Sequence, residues 1–227
     1  GDFIMKGKPA VMSWSSGKDS AFALQAARQQ TDIEVVGLVS TFNETFDRVA
    51  IHGTQREVAK AQAKSLGLPL IEVDLPYPCS NEAYEARIGA CVNKLKSQNI
   101  YDWIFGDLFL EDVRAYREKQ MEGTGLTPHF PLWGKDTQKL AQEMLSAKLI
   151  SHIVTLNPDK VPKDLCGSQY TQGFLDALPE AVDPCGENGE FHTVVSYAPG
   201  FAEPLQLQIG ETVEREGFIY TDFSLQG

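Results

Sequence analysis

The sequence is poor in basic residues and has no basic cluster. It contains 20 Lys and Arg against 31 Asp and Glu, so the formal net charge of the 227 residues is −11. An acidic surface repels phosphate backbones and anionic lipid headgroups unless a local basic patch overcomes the overall field. We therefore expect neither a nucleic acid nor a membrane among the partners of this protein.

Cysteine motifs and long hydrophobic runs are missing as well. The four cysteines (Cys79, Cys91, Cys166 and Cys185) include no Cys-x-x-Cys pair, the spacing typical of iron–sulfur and zinc-ribbon sites. No apolar run is long enough for a membrane span, and no basic-then-apolar leader precedes the first strand-like segment. These absences favour a globular protein of the reducing cytoplasm, without a disulfide framework.

Strand-like and helix-like segments alternate through the first half of the chain. Segments 9–14, 33–41, 70–73 and 101–105 are rich in apolar, β-branched or aromatic residues, as buried strands are. Segments 19–30, 54–66 and 81–98 have helical periodicity or strong helix formers. This alternation predicts an α/β fold with a Rossmann-like parallel sheet and helices on both faces.

Two of the predicted helices carry capping signals. Thr54 and Glu57 have the spacing of a capping box, and Gly67 follows as a stop. Ser80 is placed to cap the next helix. These signals predict helices that begin near residues 54 and 81.

The second half is punctuated by proline and glycine, and its pattern is mixed. A helix is predicted at 136–147 and a strand at 149–156, and segment 204–223 is typical of short antiparallel strands with turns at Gly210-Glu211 and Glu216-Gly217. We therefore predict an N-terminal domain at residues 5–123 and a smaller mixed α+β domain at residues 124–227, with a cleft between them.

The segment Ser15 to Ser20 (SSGKDS) joins the first predicted strand to the first predicted helix. A helix N-terminus offers unpaired N–H groups and a positive dipole end, Gly17 lets the backbone approach an anion, and Lys18 adds a charge. The segment is not a Walker P-loop, because Met12 and Asp19 break that pattern, and it is not a GxGxxG fingerprint. It predicts a polyphosphate site, and the alternative is an ordinary polar strand-to-helix loop.

The same segment resembles the SGGKDS signature of the PP-loop ATPases, the adenine nucleotide α-hydrolase superfamily of HUP-type folds, with Ser16 in place of the first glycine. Members of that superfamily cleave ATP between its α- and β-phosphates and release pyrophosphate. The resemblance implies that residues 5–123 bind ATP and that residues 124–227 bind the substrate.

Four further segments narrow the resemblance. They are Ile51-His52-Gly53, Gly106-Asp107, Pro131-Leu132-Trp133 and the octapeptide GENGEFHT at residues 186–193. In this order the set resembles the diphthine–ammonia ligase family, over a stretch from about residue 9 to residue 200.

The octapeptide departs from the Glu-Gly-Gly-Glu-Tyr-Glu-Thr form of the archaeal and eukaryotic ligases at Asn188, Phe191 and His192. It is similar to the bacterial-type branch, some of whose members have been associated with corrinoid salvage. The resemblance therefore leaves the acceptor of the reaction open.

The resemblance and the side-chain chemistry together give a set of candidate site residues. The candidate catalytic residues are Lys18, Asp107, Glu187, Glu190 and His192, and Asp107 is also a candidate magnesium ligand. The candidate nucleotide-binding residues, with adenine near the end of the second strand, are Ser15, Ser16, Gly17, Lys18, Asp19, Ser20, Val39, Ser40, Thr41, His52 and Gly106. The candidate substrate-binding residues are Trp133, Gly186, Glu187, Asn188, Gly189, Glu190 and Thr193.

Simpler roles stay open for several of these residues. His52 is also expected of an ordinary loop, Asp107 of a helix cap, and Trp133 of a hydrophobic core. The octapeptide is also compatible with a solvated acidic turn. Only their positions relative to the Ser15 to Ser20 segment separate these alternatives.

The resemblance implies an ATP- and Mg²⁺-dependent ligase that adenylates a carboxylate for attack by ammonia. The expected acceptor is a small molecule or a protein-borne group. A homodimer is one oligomeric state that stays open for the protein. Two other functions are open: a nucleotide-sensing module without turnover, and a tRNA-modifying enzyme of the same superfamily, of the thiolation or the lysidine type. In the thiolation type, Cys166 or Cys185 would carry a persulfide. The net charge disfavours the tRNA enzyme.

Overall fold

A computed structural model describes residues 7–227 of the chain. The first two residues of the predicted N-terminal domain, Met5 and Lys6, therefore lie outside the described part. Within residues 7–227, no helix is long and apolar enough to cross a membrane.

The first sheet is parallel except for one short strand. Its strands are β1 (Lys8–Ser13), β2 (Ile33–Asn43), β3 (Arg48–Val49), β4 (Leu70–Leu75), β5 (Asp102–Ile104) and β6 (Thr127–His129). The order is β3-β2-β1-β5-β6, with β4 also paired to β2, and only β3 runs antiparallel to its neighbour. The predicted α/β class with a Rossmann-like parallel sheet is confirmed. Because β6 joins this sheet, the sheet continues past residue 123 into the predicted second domain.

Within the described residues, six α-helices alternate with the strands; four of them are predicted from the sequence, and those at Glu111–Met121 and Gln172–Ala177 are not. They are α1 (Lys18–Arg28), α2 (Arg56–Leu66), α3 (Asn81–Ser97), α4 (Glu111–Met121), α5 (Thr137–Ser146) and α6 (Gln172–Ala177). Apolar side chains of α1 and α2 lie in a core on one side of the first sheet, and those of α3 lie in a separate core with Val11, Val39 and Trp103. Helices therefore cover both faces of the sheet.

The second sheet is antiparallel and comes from the second half of the chain. Its order is β8 (Phe191–Tyr197), β7 (Ile150–Leu156), β10 (Phe218–Leu225) and β9 (Leu207–Arg215). The predicted turn at Glu216-Gly217 joins β9 to β10, but the predicted turn at Gly210-Glu211 is wrong. Thr221 pairs with Thr212 and Phe223 with Ile209, so β9 has one extra residue there. The glycine thus marks a β-bulge within a strand and not a chain reversal.

The largest hydrophobic core contains residues from both halves of the chain. Met12 of β1 and Leu24 of α1 share it with Ile153 of β7 and Phe191 of β8. These four side chains are almost fully buried. The second sheet therefore packs through apolar contacts onto β1 and α1, which flank the Ser15 to Ser20 segment. Burial of apolar surface is the main stabilising term of such an interface.

The capping signals have mixed outcomes. Gly67 ends α2 with φ of 69°, and the Ser80 hydroxyl accepts a 3.1 Å hydrogen bond from the Ala83 N–H at the start of α3, as predicted. The capping box at Thr54 is wrong, because α2 begins at Arg56 and its cap residue Gln55 makes no side-chain cap. The Thr54 carbonyl accepts from the Val49 N–H and so belongs to the tight turn after β3.

Candidate active site

The Ser15 to Ser20 segment, called the phosphate loop below, lies at the carboxyl ends of the parallel strands. Strand β1 pairs with β2 on one side and with β5 on the other, and all three run in the same direction. The chain passes from β1 to β2 and only later to β5, so the topology switches direction at β1. Ligands of open α/β sheets bind in the crevice at such a point.

The phosphate loop is held in a defined conformation. The Ser15 N–H donates to the Ser20 hydroxyl (3.2 Å), and the Ser16 carbonyl accepts from the Val195 N–H (2.9 Å) and the Gln62 amide (3.1 Å). Ser16 is fully buried with φ of 73°, in the left-handed region that favours glycine. The PP-loop signature has its first glycine at this position. Glycine adopts a positive φ without strain, which explains why the signature has glycine there.

Two other segments approach the phosphate loop so closely that a side chain at Gly17 or Gly106 would have to displace a neighbouring backbone atom. A Cβ on Gly17 would lie 3.0 Å from the Thr193 carbonyl oxygen, and a Cβ on Gly106 would lie 3.2 Å from the Asp19 carbonyl oxygen. The Thr193 hydroxyl also accepts a 3.0 Å hydrogen bond from the Lys18 N–H. The end of β5 and the start of β8 therefore both shape the loop.

We expect Gly106→Ala to weaken nucleotide binding, because the added methyl group displaces the backbone of the phosphate loop at Asp19. Gly89→Ala is the matched control, since a Cβ at Gly89, inside α3, meets nothing within 4 Å. The control should leave binding unchanged and raise the stability slightly, by about 0.5–1 kcal/mol, because alanine favours helix over glycine. Titration of both variants with ATP checks this, and equal affinity of the two would contradict the close approach.

Lys18 lines the site cavity, but its ammonium group already has protein partners. Nζ lies 3.2 Å from Asp19 Oδ1, donates to the Cys185 carbonyl, and lies 5.3 Å and 5.1 Å from the ring centroids of Tyr170 and Phe191. Burial lowers the pKa of Lys18, but the negative charges around it, first of all Asp19, outweigh burial and raise the pKa overall. Lys18 is therefore a charged link between the phosphate loop and the second half of the chain.

Glu187 projects into the same cavity from the octapeptide. Its Oε2 accepts hydrogen bonds from the N–H groups of Leu108 (2.6 Å) and Phe109 (3.2 Å), which precede α4. Burial raises the pKa of Glu187 to about 7, and the charges of Asp19 and Asp107 add to the shift, while the two N–H donors oppose it. A carboxyl group half ionised near neutrality is suited to general acid–base chemistry.

His52 and His192 lie against each other in the wall of the cavity. Their ring centroids are 4.2 Å apart, and the Thr155 hydroxyl donates to the His52 carbonyl (2.7 Å) and so fixes the loop. Burial lowers the pKa of His192 to about 4 and lowers that of His52 well below its ordinary value. Both imidazoles are therefore neutral at pH 7, which favours hydrogen bonding over proton uptake and makes His192 a poor candidate base.

Arg117 is a site residue that the sequence interpretation missed. Its Nε donates to Asp107 Oδ2 (3.2 Å), and its guanidinium lies 4.6 Å from the ring centroid of Phe105. Asp107 therefore pairs with a cation on α4 and does not cap that helix, whose cap residue is Leu110. The sequence would have linked Arg117 to the site only if α4 had been predicted.

The cavity has a volume of about 170 Å³ and gathers most of the candidate residues. The candidates that line it are Ser15, Gly17, Lys18, Asp19, Ser20, His52, Gly106, Asp107, Gly186, Glu187, His192 and Thr193, and Ser13, Phe105, Arg117 and Phe191 line it as well. The candidates that do not line it are Ser16, Val39, Ser40, Thr41, Trp133, Asn188, Gly189 and Glu190.

The candidates outside the cavity have visible structural roles. The Ser40 hydroxyl donates to the Trp14 carbonyl (2.6 Å) beneath the loop, and the Thr41 carbonyl accepts from the Ala50 N–H. Glu190 is buried, and its Oε2 accepts from the Asp183 N–H (2.8 Å), which stabilises the turn before β8. Trp133 packs beside the guanidinium of Arg114, 4.9 Å from its ring centroid. Their predicted binding roles stay predictions.

The cavity fits phosphate groups better than it fits a metal ion alone. The start of α1, the glycines at close approach and His52, whose Nδ1 is buried without a partner in residues 7–227, form a polar cradle. In the same residues, no group of three or more His, Cys, Asp or Glu side chains is arranged to hold a metal. Since Mg²⁺ is commonly held by one or two carboxylates together with substrate phosphates, Asp107 suffices as a protein ligand.

A comparison with protein families gives one match. The model described as Diphthamide synthase N-terminal domain matches residues 7–128, more than half of the chain. No curated protein matches. The matched residues include the phosphate loop, His52 and the Gly106-Asp107 pair, and they end within β6, where the first sheet ends. The chain belongs to the diphthamide synthase N-terminal domain family, the family of PP-loop ATPases and ATP-using enzymes that includes the diphthine–ammonia ligases.

Proposed function

We propose that the protein is an ATP-dependent amide ligase of the bacterial-type branch of this family. A carboxylate oxygen of the acceptor attacks the α-phosphorus of ATP, and pyrophosphate leaves. Ammonia then attacks the acyl carbon, AMP leaves, and one proton passes to a base. The reaction converts a carboxylate into an amide and uses one ATP.

The phosphate loop supports the first half of this proposal. The N-terminus of α1 presents backbone N–H groups and a positive dipole end to the cavity, and the side chains of Ser15 and Ser20 lie beside it. Arg117 of α4, which is paired with Asp107, lines the cavity as well. Asp107 would be the protein ligand of Mg²⁺, which would offset negative charge on the leaving pyrophosphate. Fixed charges of this kind are commonly the largest catalytic term.

The observation that carries the proposal is Glu187 in the same cavity as the phosphate loop. A carboxyl group with a pKa of about 7 can take a proton from ammonium or from the attacking nitrogen at neutral pH. The Leu108 and Phe109 N–H groups hold its Oε2 in place. A module that only bound nucleotide would have no use for a base beside the phosphates.

The two cysteines of the second half support this proposal over sulfur transfer. Burial raises the pKa of Cys185 to about 12 and also raises the pKa of Cys166. Both groups are therefore thiols at neutral pH, whereas a persulfide carrier needs an accessible thiolate. The acidic net charge argues in the same direction against tRNA as the acceptor.

The rate of amide formation should depend on pH through Glu187. At a constant concentration of unprotonated ammonia, the rate is expected to rise from pH 6 and to level off above pH 8, because the carboxylate form of Glu187 is the base and its pKa is about 7. His192, with a pKa of about 4, does not change its charge over this range. Initial rates of AMP release across the range check this, and a rate independent of pH between 6 and 8 would contradict Glu187 as the base.

The proposal is tested by incubating the protein with ATP, Mg²⁺, ammonium and a panel of carboxylates. AMP and pyrophosphate should appear with at least one carboxylate, and amide formation should require ammonium. ADP in place of AMP would contradict cleavage at the α-phosphate. ATP that stays intact with every carboxylate would favour a nucleotide-sensing module.

A further inference from the structure

A second cavity lies on the other side of the loop that carries His52. It has a volume of about 770 Å³ and lies between the segment after β2, Tyr77, and the hairpin of β9 and β10. Small-molecule sites commonly have volumes of about 300–1,000 Å³ and lie where structural units meet. The cavity has the size of such a site, and it is considerably larger than the phosphate cavity.

Apolar side chains line this second cavity and are left open to solvent. Ile51 is 79% exposed, Tyr77 50%, Phe46 49% and Val213 39%. The rings of Phe46 and Tyr77 lie edge to face with centroids 5.2 Å apart. Isolated exposed apolar residues are common, but a concave group of four with two aromatic rings is typical of a binding site.

Three carboxylates (Glu211, Glu216 and Asp222) and two arginines (Arg48 and Arg215) line the cavity. Asp222 is neutralised by Arg48, at 2.7 Å, and Tyr77 donates a hydrogen bond to Glu216 (3.1 Å). Arg215 makes no salt bridge within residues 7–227, and its guanidinium lies 5.9 Å from the Phe46 ring centroid. The cavity therefore combines aromatic surface with an available cation.

The loop at Ile51 to Gly53 is a common wall of the two cavities. Ile51 and Gly53 line the second cavity, whereas His52 between them lines the phosphate cavity. Ile51 has φ of 69°, a conformation that a β-branched residue rarely adopts. Such backbone strain clusters at binding sites, where the surrounding structure enforces it. One residue thus separates the second cavity from the phosphate site.

We propose that the second cavity binds the acceptor of the ligase, and that this acceptor is a small carboxylic acid with a flat, ring-bearing apolar body. The body packs against Phe46, Tyr77 and Val213, and the carboxylate lies toward the His52 wall. The concave shape and the volume favour a small molecule over a protein segment. This inference rests on the proposed amide ligase function, because it identifies the substrate class of that enzyme.

The test measures binding of naphthoate and of acetate to the full chain by calorimetry, without ATP. Naphthoate should bind and acetate should not, because only naphthoate has an apolar body. Val213→Asp should weaken naphthoate binding about tenfold or more, since it places a negative charge on the apolar wall. Ile209→Asp is the matched control: Ile209 lies on the same strand, is 59% exposed and is outside the cavity, so affinity should change less than twofold.

The possible results distinguish a failure of the acceptor site from a failure of the ligase function. Equal affinity of the two variants, or no naphthoate binding at millimolar concentration, would overturn the acceptor site. AMP release in the carboxylate panel that is unaffected by Val213→Asp would overturn it as well, although the ligase function would stand. Naphthoate binding that depends on Val213, combined with AMP release only from acids without a ring, would overturn the acceptor role but not the ligase. No AMP release from any carboxylate would overturn both, although the cavity would still be a binding site.

Discussion

Replacing Lys18 with alanine is expected to reduce AMP formation at least about 100-fold and to lower the melting temperature of the protein. The loss of activity follows from the missing positive charge beside the phosphates. The loss of stability follows from the structure, in which the Lys18 ammonium pairs with Asp19 and donates to the Cys185 carbonyl. Removing one partner of a fully buried ion pair costs about 3–5 kcal/mol, and the cost here should be smaller because the Asp19 side chain is 27% exposed.

A second variant separates these two effects of Lys18. In Lys18→Met combined with Asp19→Asn, the aliphatic stem between Tyr170 and Phe191 is kept and no unpaired charge is left. This variant should regain part of the stability but none of the activity. Lys160→Met, at an exposed position, is the control for removing a lysine charge and should leave both unchanged. A stable double variant that still forms AMP at the normal rate would contradict the role of Lys18 at the phosphates.

Glu187→Gln is expected to reduce amide formation by about 100-fold to 10,000-fold and to remove the rise in rate near pH 7. The glutamine oxygen can still accept from the Leu108 and Phe109 N–H groups, so the local structure should be kept. What is lost is the group that takes up a proton. Glu180→Gln, on an exposed part of the same loop region, is the matched control and should keep both the rate and its pH dependence.

The same variant should change how stability depends on pH. The pKa of Glu187 is raised in the folded protein from 4.5 to about 7, so the folded state binds more protons between these values. Stability from this group is therefore present below pH 4.5 and is lost as pH rises to about 7. Glu187→Gln lacks this loss and should be more stable than the natural protein above pH 7, as thermal unfolding at pH 5 and pH 8 would show.

For the catalytic prediction, a rate of amide formation that Glu187→Gln leaves unchanged would contradict the assignment of Glu187 as the base.

The part of the fold that was predictable from the sequence is the part with strong local signals. The strands of the first sheet are short apolar runs, and α1, α2 and α3 have an apolar face, so their alternation predicts the parallel sheet. The phosphate loop was placed correctly because a strand precedes it and a helix follows it. These features depend on residues that are close together in the sequence, so the sequence pattern indicates them directly.

The features that were missed depend on distant contacts. Helix α4 buries only Met121, so it has no apolar periodicity, and Arg117 was therefore not linked to Asp107. The predicted adenine position at Val39 to Thr41 does not line the cavity and stays a prediction. Apart from Asp19, the residues that contact the Lys18 ammonium are more than 150 residues away along the chain: Cys185, Tyr170 and Phe191. No local pattern specifies such contacts.

The claim on which the account depends is that the phosphate loop binds the phosphates of ATP. A crystal structure of the protein with Mg²⁺ and α,β-methylene ATP, which resists cleavage at the α-phosphate, tests it most directly. The N–H groups of Gly17 and Lys18 already donate to the hydroxyls of Ser15 and Thr193. The account therefore predicts the phosphates within hydrogen-bond distance of the backbone N–H groups of Asp19 and Ser20, with Glu187 on the same side of the sheet. The nucleotide bound at another place, with the loop free of phosphate, would contradict it.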